Sequence, residues 1–499
     1  MWTMRWDVLC IAFAGWFVAY AIQARRRAVL LPPGPRGLPF IGNALHLSLT
    51  DSFMQFRQWA DCHGPLIYFH TFGREFVVVN DLKMALDLFD QRSGIYATKP
   101  RLVMAGELVG KEKTSMVFSK YNALHRKCRR IAHSWMNKQH VREYSWPLQE
   151  AASYRLLVSV LDNPANFSEA IRTNAGAVLL KALYGIECLP VDDPNINLSE
   201  HVCELTNEAA HPGRWLVDSF PVVRTCPNRH VVPWGHFKRW AAASRETTER
   251  LIRGPFNAVK DSMREGSAIS CWVADTLLDE AKGAKTVDDI HAAMVAAGTL
   301  YAAGIDTTVS AIRMFWLMMV LHPDIQRKAQ AEIDAVVGTQ RLPTMEDREK
   351  LPYLNCIIKE VLRFGTIVPL MPHSLDVDDA CTISLRPAIY HNPNTYPSPD
   401  EFRPERYLPH SGPVAAFDPE VIGFGLGRRT CVGEHFAQAI MFLNMAHTLA
   451  VFDLRPAKDA NGVPRPPAVA WRGGHIRCVR VVVPSCPLWR ISPFSLLTS

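Results

Sequence analysis

Ten residues near the C-terminal end carry the densest chemistry in the chain: Phe424-Gly425-Leu426-Gly427-Arg428-Arg429-Thr430-Cys431-Val432-Gly433. A cysteine sits in a glycine-rich loop just ahead of the helix-like run Glu434 to Leu449. Glycines let a backbone turn tightly and come close to a flat body. The unpaired N–H groups of a loop-to-helix junction suit an anion, and the thiolate is the form of cysteine that binds metal. Arg429, two residues earlier, suits a carboxylate on the same bound object.

A second constellation lies inside a long apolar run from Thr286 to about His322, which opens on the capping pattern Thr286-x-x-Asp289. Its centre reads Ala302-Ala303-Gly304-Ile305-Asp306-Thr307-Thr308. A glycine inside a helix costs about 1 kcal/mol relative to alanine, so the close approach of a flat ligand is the expected reason for Gly304. Adjacent Asp and Thr side chains compete for backbone hydrogen bonds, and a local opening of the helix is expected there. A hydroxyl beside a carboxylate is also a means of holding and relaying protons.

The first run resembles the signature of the haem-thiolate monooxygenases, the cytochrome P-450 family, whose form is Phe-x-x-Gly-x-Arg-x-Cys-x-Gly. Phe424, Gly427, Arg429, Cys431 and Gly433 occupy all its specified positions. A cysteine beside a glycine turn is more often an inert buried thiol, and the full match reverses that prior. The resemblance implies haem b with Cys431 as its axial ligand and with Phe424, Arg429 and Gly433 around it. A thiolate ligand pushes electron density through iron and favours O–O cleavage. The second constellation is similar to the family's Ala/Gly-Gly-x-Asp/Glu-Thr-Thr/Ser. That similarity gives Thr307 the hydroxyl beside O2 and Asp306 the proton relay.

Other family positions follow in order. The stretch Leu124 to Met136 carries His125-x-x-x-Arg129 where the family has Trp-x-x-x-Arg. Residues four apart share a helix face and a histidine N–H can donate to a carboxylate. His125 and Arg129 are therefore expected to hold a haem propionate, as is His373 of Pro372-His373. Lys127 and Arg130 of the same stretch would face an electron donor. Glu360-x-x-Arg363 and the arginine of Phe402-Arg403-Pro404-Glu405-Arg406-Tyr407 are similar to the family's carboxylate–arginine lock, a buried structural triad. The fungal pattern has a hairpin after an Asp-Asp pair; here Asp378-Asp379 reaches His391-Asn392-Pro393 by a shorter path.

These motifs need a scaffold. Ile67–Phe69 and Glu75–Val79 read as strands around a turn at Gly73, and helical stretches dominate beyond them. The implied fold is mainly α with a minor β lobe, the cytochrome P-450 fold, preceded by one membrane-anchor helix. The chain of 499 residues is 48% hydrophobic, ample for a large core. Its 12 cysteines include no C-x-x-C pair, which argues against zinc ribbons and disulfide frameworks. A formal charge of +7 fits an acidic partner or anionic lipid. No basic, aromatic-interleaved run points to nucleic acid.

At the N-terminus, Val8 to Ile22 is apolar and uncharged and Arg25-Arg26-Arg27 follows. It is shorter than the about 20 residues that a bilayer asks for, and Met1 to Trp6 can extend it. Ala19-Tyr20-Ala21 offers a cleavage site for a signal peptide. Positive charge on the C-terminal flank instead favours an uncleaved anchor with a cytosolic body. The expected organisation is an anchor over residues 1–24, a basic and proline-rich hinge over 25–39, and a haem-thiolate catalytic domain over 40–499 at the endoplasmic reticulum membrane.

By resemblance the reaction inserts one atom of O2 into a hydrophobic small molecule, a fungal secondary metabolite or xenobiotic. Electrons would come from NADPH through a separate flavoprotein reductase, since the chain shows no dinucleotide fingerprint. Two alternatives stay open. One is a reductase-independent haem-thiolate isomerase or dehydratase, against which Asp306-Thr307 speaks. The other is a non-catalytic haem-binding remnant, suggested by His125 and the shortened hairpin. Topology has its own check: with a cytosolic body, the sequons at Asn166 and Asn197 stay unglycosylated, and a mass shift on glycosidase treatment would place the body in the lumen.

Overall fold

The computed structural model describes residues 31–48, 52–225, 236–278, 286–375, 381–409, 416–459, 461–465, 467, 469–472, 478–481 and 486–489. The expected anchor, Asp378-Asp379 and the chain beyond 489 lie outside the described residues.

The chain is mainly helical with a small sheet, as expected. The N-terminal lobe starts with α1 (Ser52–His63), β1 (Leu66–Thr71) and β2 (Arg74–Val79). The two strands pair antiparallel from Leu66↔Val79 to Thr71↔Arg74. Phe72 and Gly73 between them both have positive φ, 48° and 79°, the requirement of the two-residue hairpin turn whose twist matches the strands. Phe69 stacks on Phe76 at 4.8 Å and packs with Phe56 and Trp59 of α1.

The helical body follows as α2 (Lys111–Thr114), α3 (Ala123–Met136), α4 (Trp146–Asp162), α5 (Phe167–Tyr184), α6 (Pro194–Ala209), α7 (His236–Arg264), α8 (Val287–Leu321), α9 (Pro323–Val336) and α10 (Pro352–Gly365). Helix α8 is the spine. It is apolar on nearly every face and packs against α3, α5, α6, α7 and α10, as a helix without a polar side must. It is long and apolar enough to cross a membrane, yet most of that surface is covered by the body. Thr286 and Asp289 form the expected capping box, and Lys127 of α3 reaches the same Asp289 at 2.8 Å. Lys127 is thus paired within the fold while its side chain stays partly exposed, and Arg130 is exposed.

After α10 the chain returns to the sheet as β3 (Leu370–Ser374) and β4 (Cys381–Leu385), giving the order β1-β2-β4-β3. β4 runs parallel to β2 and antiparallel to β3. It passes directly into α11 (Arg386–Tyr390), and the chain then reaches the cysteine loop and α12 (Glu434–Val451).

The triad forms and ties this return path to α10. Glu360 and Arg363 are fully buried and Arg406 nearly so. Glu360 Oε1 accepts from Arg363 Nη2 at 2.7 Å and from Arg406 Nε at 3.2 Å, while Oε2 accepts from Tyr407 at 3.0 Å. Arg363 also donates to the carbonyls of Tyr390, Pro399 and Glu401. Breaking such a group strands charge in the interior. Glu360→Ala should cost roughly 3–5 kcal/mol, read as a lowered denaturant midpoint; an unchanged midpoint would show the triad to be dispensable.

Candidate active site

The cysteine loop is shaped by two glycines with left-handed backbone, Gly425 (φ 89°) and Gly427 (φ 52°). A Cβ on Gly427 would lie 2.4 Å from the Phe89 carbonyl oxygen, so this glycine answers to the neighbouring segment. Cys431 N–H donates to the Phe424 carbonyl at 2.6 Å, which closes the loop, and Gly433 then leads into α12. A Cβ on Gly433 would meet no atom of the described residues within 4 Å.

Cys431, Phe424 and Arg429 line a cavity of about 730 Å³, whose wall on α8 includes Ala302, Ala303 and Thr307. The sulfur is open to this cavity although protein encloses the site as a whole. That enclosure pushes the Cys431 thiol up; a hydrogen bond from the Gly433 N–H and the charges of Arg129 and Arg386 favour the thiolate.

One side of the cavity is strongly cationic. Arg429 (8% exposed) donates to the carbonyls of Ala97, Met116 and Ser119. Burial and Arg129 bring its pKa down to about 10. Lys99 (8% exposed) donates to the Pro372 carbonyl at 2.8 Å. Burial, Arg429 and Arg386 bring its pKa down to about 7. Arg386 (5% exposed) donates to the carbonyls of Val368 and Gly423. Among the described residues no carboxylate bears on these three or on Arg129. Carbonyls satisfy their N–H groups without neutralising their charge. A planar group with two carboxylates fits this cluster, with a thiol as the metal donor on the same cavity.

The remaining expected residues sit behind that front. His125 is 2% exposed. Its Nδ1 lies 3.1 Å from Arg429 Nη1 and 2.9 Å from Ser119 Oγ. Burial and the nearby cations push its pKa down to about 3, so the ring is neutral. Nδ1 accepts from Arg429, which leaves the proton on Nε2, a buried donor with no partner among the described residues. Arg129 Nη1 donates to the Thr430 carbonyl at 2.6 Å and so braces the cysteine loop. His373 donates from Nδ1 to the Tyr96 carbonyl at 2.9 Å, stacks on Phe89, and is held neutral by burial.

On α8, Thr307 and Asp306 diverge. Thr307 lines the cavity and donates to the Ala303 carbonyl at 2.9 Å. Asp306 is 8% exposed and faces Arg172 Nη1 at 3.5 Å; Arg172 Nη2 continues to the half-exposed Glu200 at 2.8 Å. Burial raises the Asp306 pKa and Arg172 opposes the shift. Two expectations about α8 are corrected. The helix stays closed through this stretch, because the threonine hydroxyl bonds back one turn and leaves the ladder intact. Gly304 faces Leu179 of α5, where a Cβ would come within 2.8 Å of the side chain; helix packing, not a ligand, accounts for it.

Sequence spacing found neither Lys99, Arg386 nor Arg172. Each acts through a partner distant in the chain, and no local pattern marks it.

Comparison with known proteins agrees with this geometry. The family model described as Cytochrome P450 matches residues 32–472. Cytochrome P450 monooxygenase claR of Ampulloclitocybe clavipes is 38% identical over 446 residues, which covers 87% of this chain and 81% of that protein. Cytochrome P450 monooxygenase 208 of Postia placenta is 36% identical over 450 residues, 88% of this chain and 86% of that protein. A zebra fish cytochrome P450 solved with progesterone superimposes with a TM-score of 0.70 at 21% identity, over 88% of this chain and 99% of that one; this likeness speaks for the fold. The chain belongs to the cytochrome P450 family, and it is a monooxygenase whose cofactor is a haem b carried on a cysteine thiolate.

Proposed function

We propose that Cys431 is the thiolate ligand and that the enzyme oxidises a hydrophobic small molecule, a fungal secondary metabolite or a xenobiotic. Its electrons come from NADPH through a separate flavoprotein reductase. The body is held at the endoplasmic reticulum membrane by residues 1–24. The observation that carries this reading is the common cavity of Cys431 and Thr307, flanked by cations without carboxylate partners. The mostly apolar cavity lining supports a hydrophobic substrate.

Arg429, Lys99 and Arg386 take the haem carboxylates, with His125 and Arg129 positioning Arg429 and the loop, and His373 closing the same edge. Phe424 shields the sulfur side and Gly433 turns an N–H toward the sulfur. Haem, once bound, supplies the power to insert one oxygen atom of O2 into substrate while the other leaves as water. Thr307 holds a proton donor on the cavity face of α8. Asp306 takes protons from the Glu200–Arg172 side and hands them toward that hydroxyl.

Cys431→Ser should abolish the thiolate Soret band of the reduced carbon monoxide complex together with NADPH- and reductase-dependent turnover. A serine variant with normal spectrum and turnover would refute the ligand assignment. Asp306→Asn should slow turnover by about a hundredfold or more while the spectrum stays normal; full activity would remove Asp306 from the proton route. Arg386→Leu should release haem to apomyoglobin about tenfold faster; an unchanged transfer rate would take Arg386 out of the haem edge.

A further inference from the structure

A separate positive charge in the cavity remains unused by the reading above. Lys111 opens the one-turn helix α2, which packs against α8, and it lines the cavity while only 6% exposed. Among the described residues its ammonium has no hydrogen-bond acceptor and no carboxylate within 4 Å. Glu112, the next residue, also lines the cavity and forms no ion pair with it. Burial brings the Lys111 ammonium down to about 8, and the thiol of Cys203 is the neighbour that favours its charge. Arg429, Lys99 and Arg386 do not figure among the groups acting on it. The haem-edge cluster and Lys111 are therefore two distinct electropositive places in one cavity.

The location is on the substrate side. Lys111 and its neighbour Cys203 of α6 both line the cavity, in common with Thr299 and Thr307 of α8. Other cavity-lining cations differ: Arg101 pairs with Glu107, Arg74 donates to the Arg101 carbonyl, and Lys120 is exposed to solvent. A largely buried ammonium that opens only onto an apolar cavity, without a protein partner, is costly to keep. Such a group marks a place where function outweighs stability. A single ammonium offers one charge and three donors, enough for a monoanion; phosphate, with more charge, calls for more donors than this wall provides.

We propose that Lys111 anchors the substrate, and that the substrate is a hydrophobic molecule bearing a carboxylate, which pairs with this ammonium while the apolar body fills the cavity along α8. The proposal rests on the monooxygenase reading in that the anchored molecule is the one oxidised.

The test compares acids with their uncharged isosteres on the haem-loaded full-length enzyme at neutral pH. Dodecanoic acid and abietic acid, each beside its methyl ester, are measured by equilibrium dialysis and by the spin-state shift of the Soret band. Wild type should bind at least one acid about tenfold to a hundredfold more tightly than its ester. Lys111→Met should lose that preference and leave ester binding unchanged, whereas Lys111→Arg should keep it. Lys111→Met should also melt at a higher temperature, since it removes an uncompensated charge. Equal binding of acids and esters by wild type, or an acid preference that survives in Lys111→Met, overturns the proposal. A reduced carbon monoxide spectrum of the same preparations tests the haem assignment by itself. A missing thiolate band with an intact acid preference in dialysis would sink the haem assignment and leave the Lys111 anchor standing.

Discussion

Positive charge held inside a mostly apolar cavity is the constraint to which the rest of this structure answers. The guanidinium and ammonium groups of Arg429, Arg386 and Lys99 are each fixed by main-chain carbonyls from separate parts of the fold. Carbonyls orient these donors and do nothing to cancel their repulsion. Anything that brings two negative charges to this place stabilises the folded chain by mass action, so cofactor loading and folding are linked. The same field reaches the sulfur, where Arg129 and Arg386 oppose the penalty that burial places on a thiolate. Arg386 thus belongs both to the cationic edge of the cavity and to the charges that favour the Cys431 thiolate.

Helix α8 separates two environments. Successive residues of a helix point about 100° apart, so Thr307 looks into the cavity while Asp306 looks toward α5 and Arg172. A carboxylate in the cavity itself would compete for its cations. Placed behind the helix and paired with Arg172, it keeps contact with the half-exposed Glu200 instead. The hydroxyl and the carboxylate are adjacent in the chain yet meet different surroundings, and that division is set by one step along the sequence.

What the sequence made legible is what local spacing encodes. The cysteine loop, the Thr286–Asp289 capping box, the turn at Gly73 and the Glu360–Arg363 pair all lie within a few residues of one another, and all form. Arg406 was reachable because its neighbouring residues have a recognisable pattern. Lys99, Arg386 and Lys111 have no such context; their meaning comes from the cavity around them. Gly304 shows the converse. Its small size was plain in the sequence, but only the packed structure reveals that Leu179 is what it accommodates. Lys127 looked free in a run of cations until Asp289 from another helix came within reach.

The junction of β4 and α11 has a consequence for how this enzyme can diverge. The strand ends at Leu385 and the helix starts at Arg386 with no residue between them, so the register of the sheet dictates where that guanidinium points. Inserting a single residue would swing it by about a third of a turn, out of the cluster, with every strand pairing preserved. Loop length at this seam thus sets where one of the cavity's buried charges lies, and an insertion or deletion there would change the cavity's electrostatics while every sequence motif stayed intact.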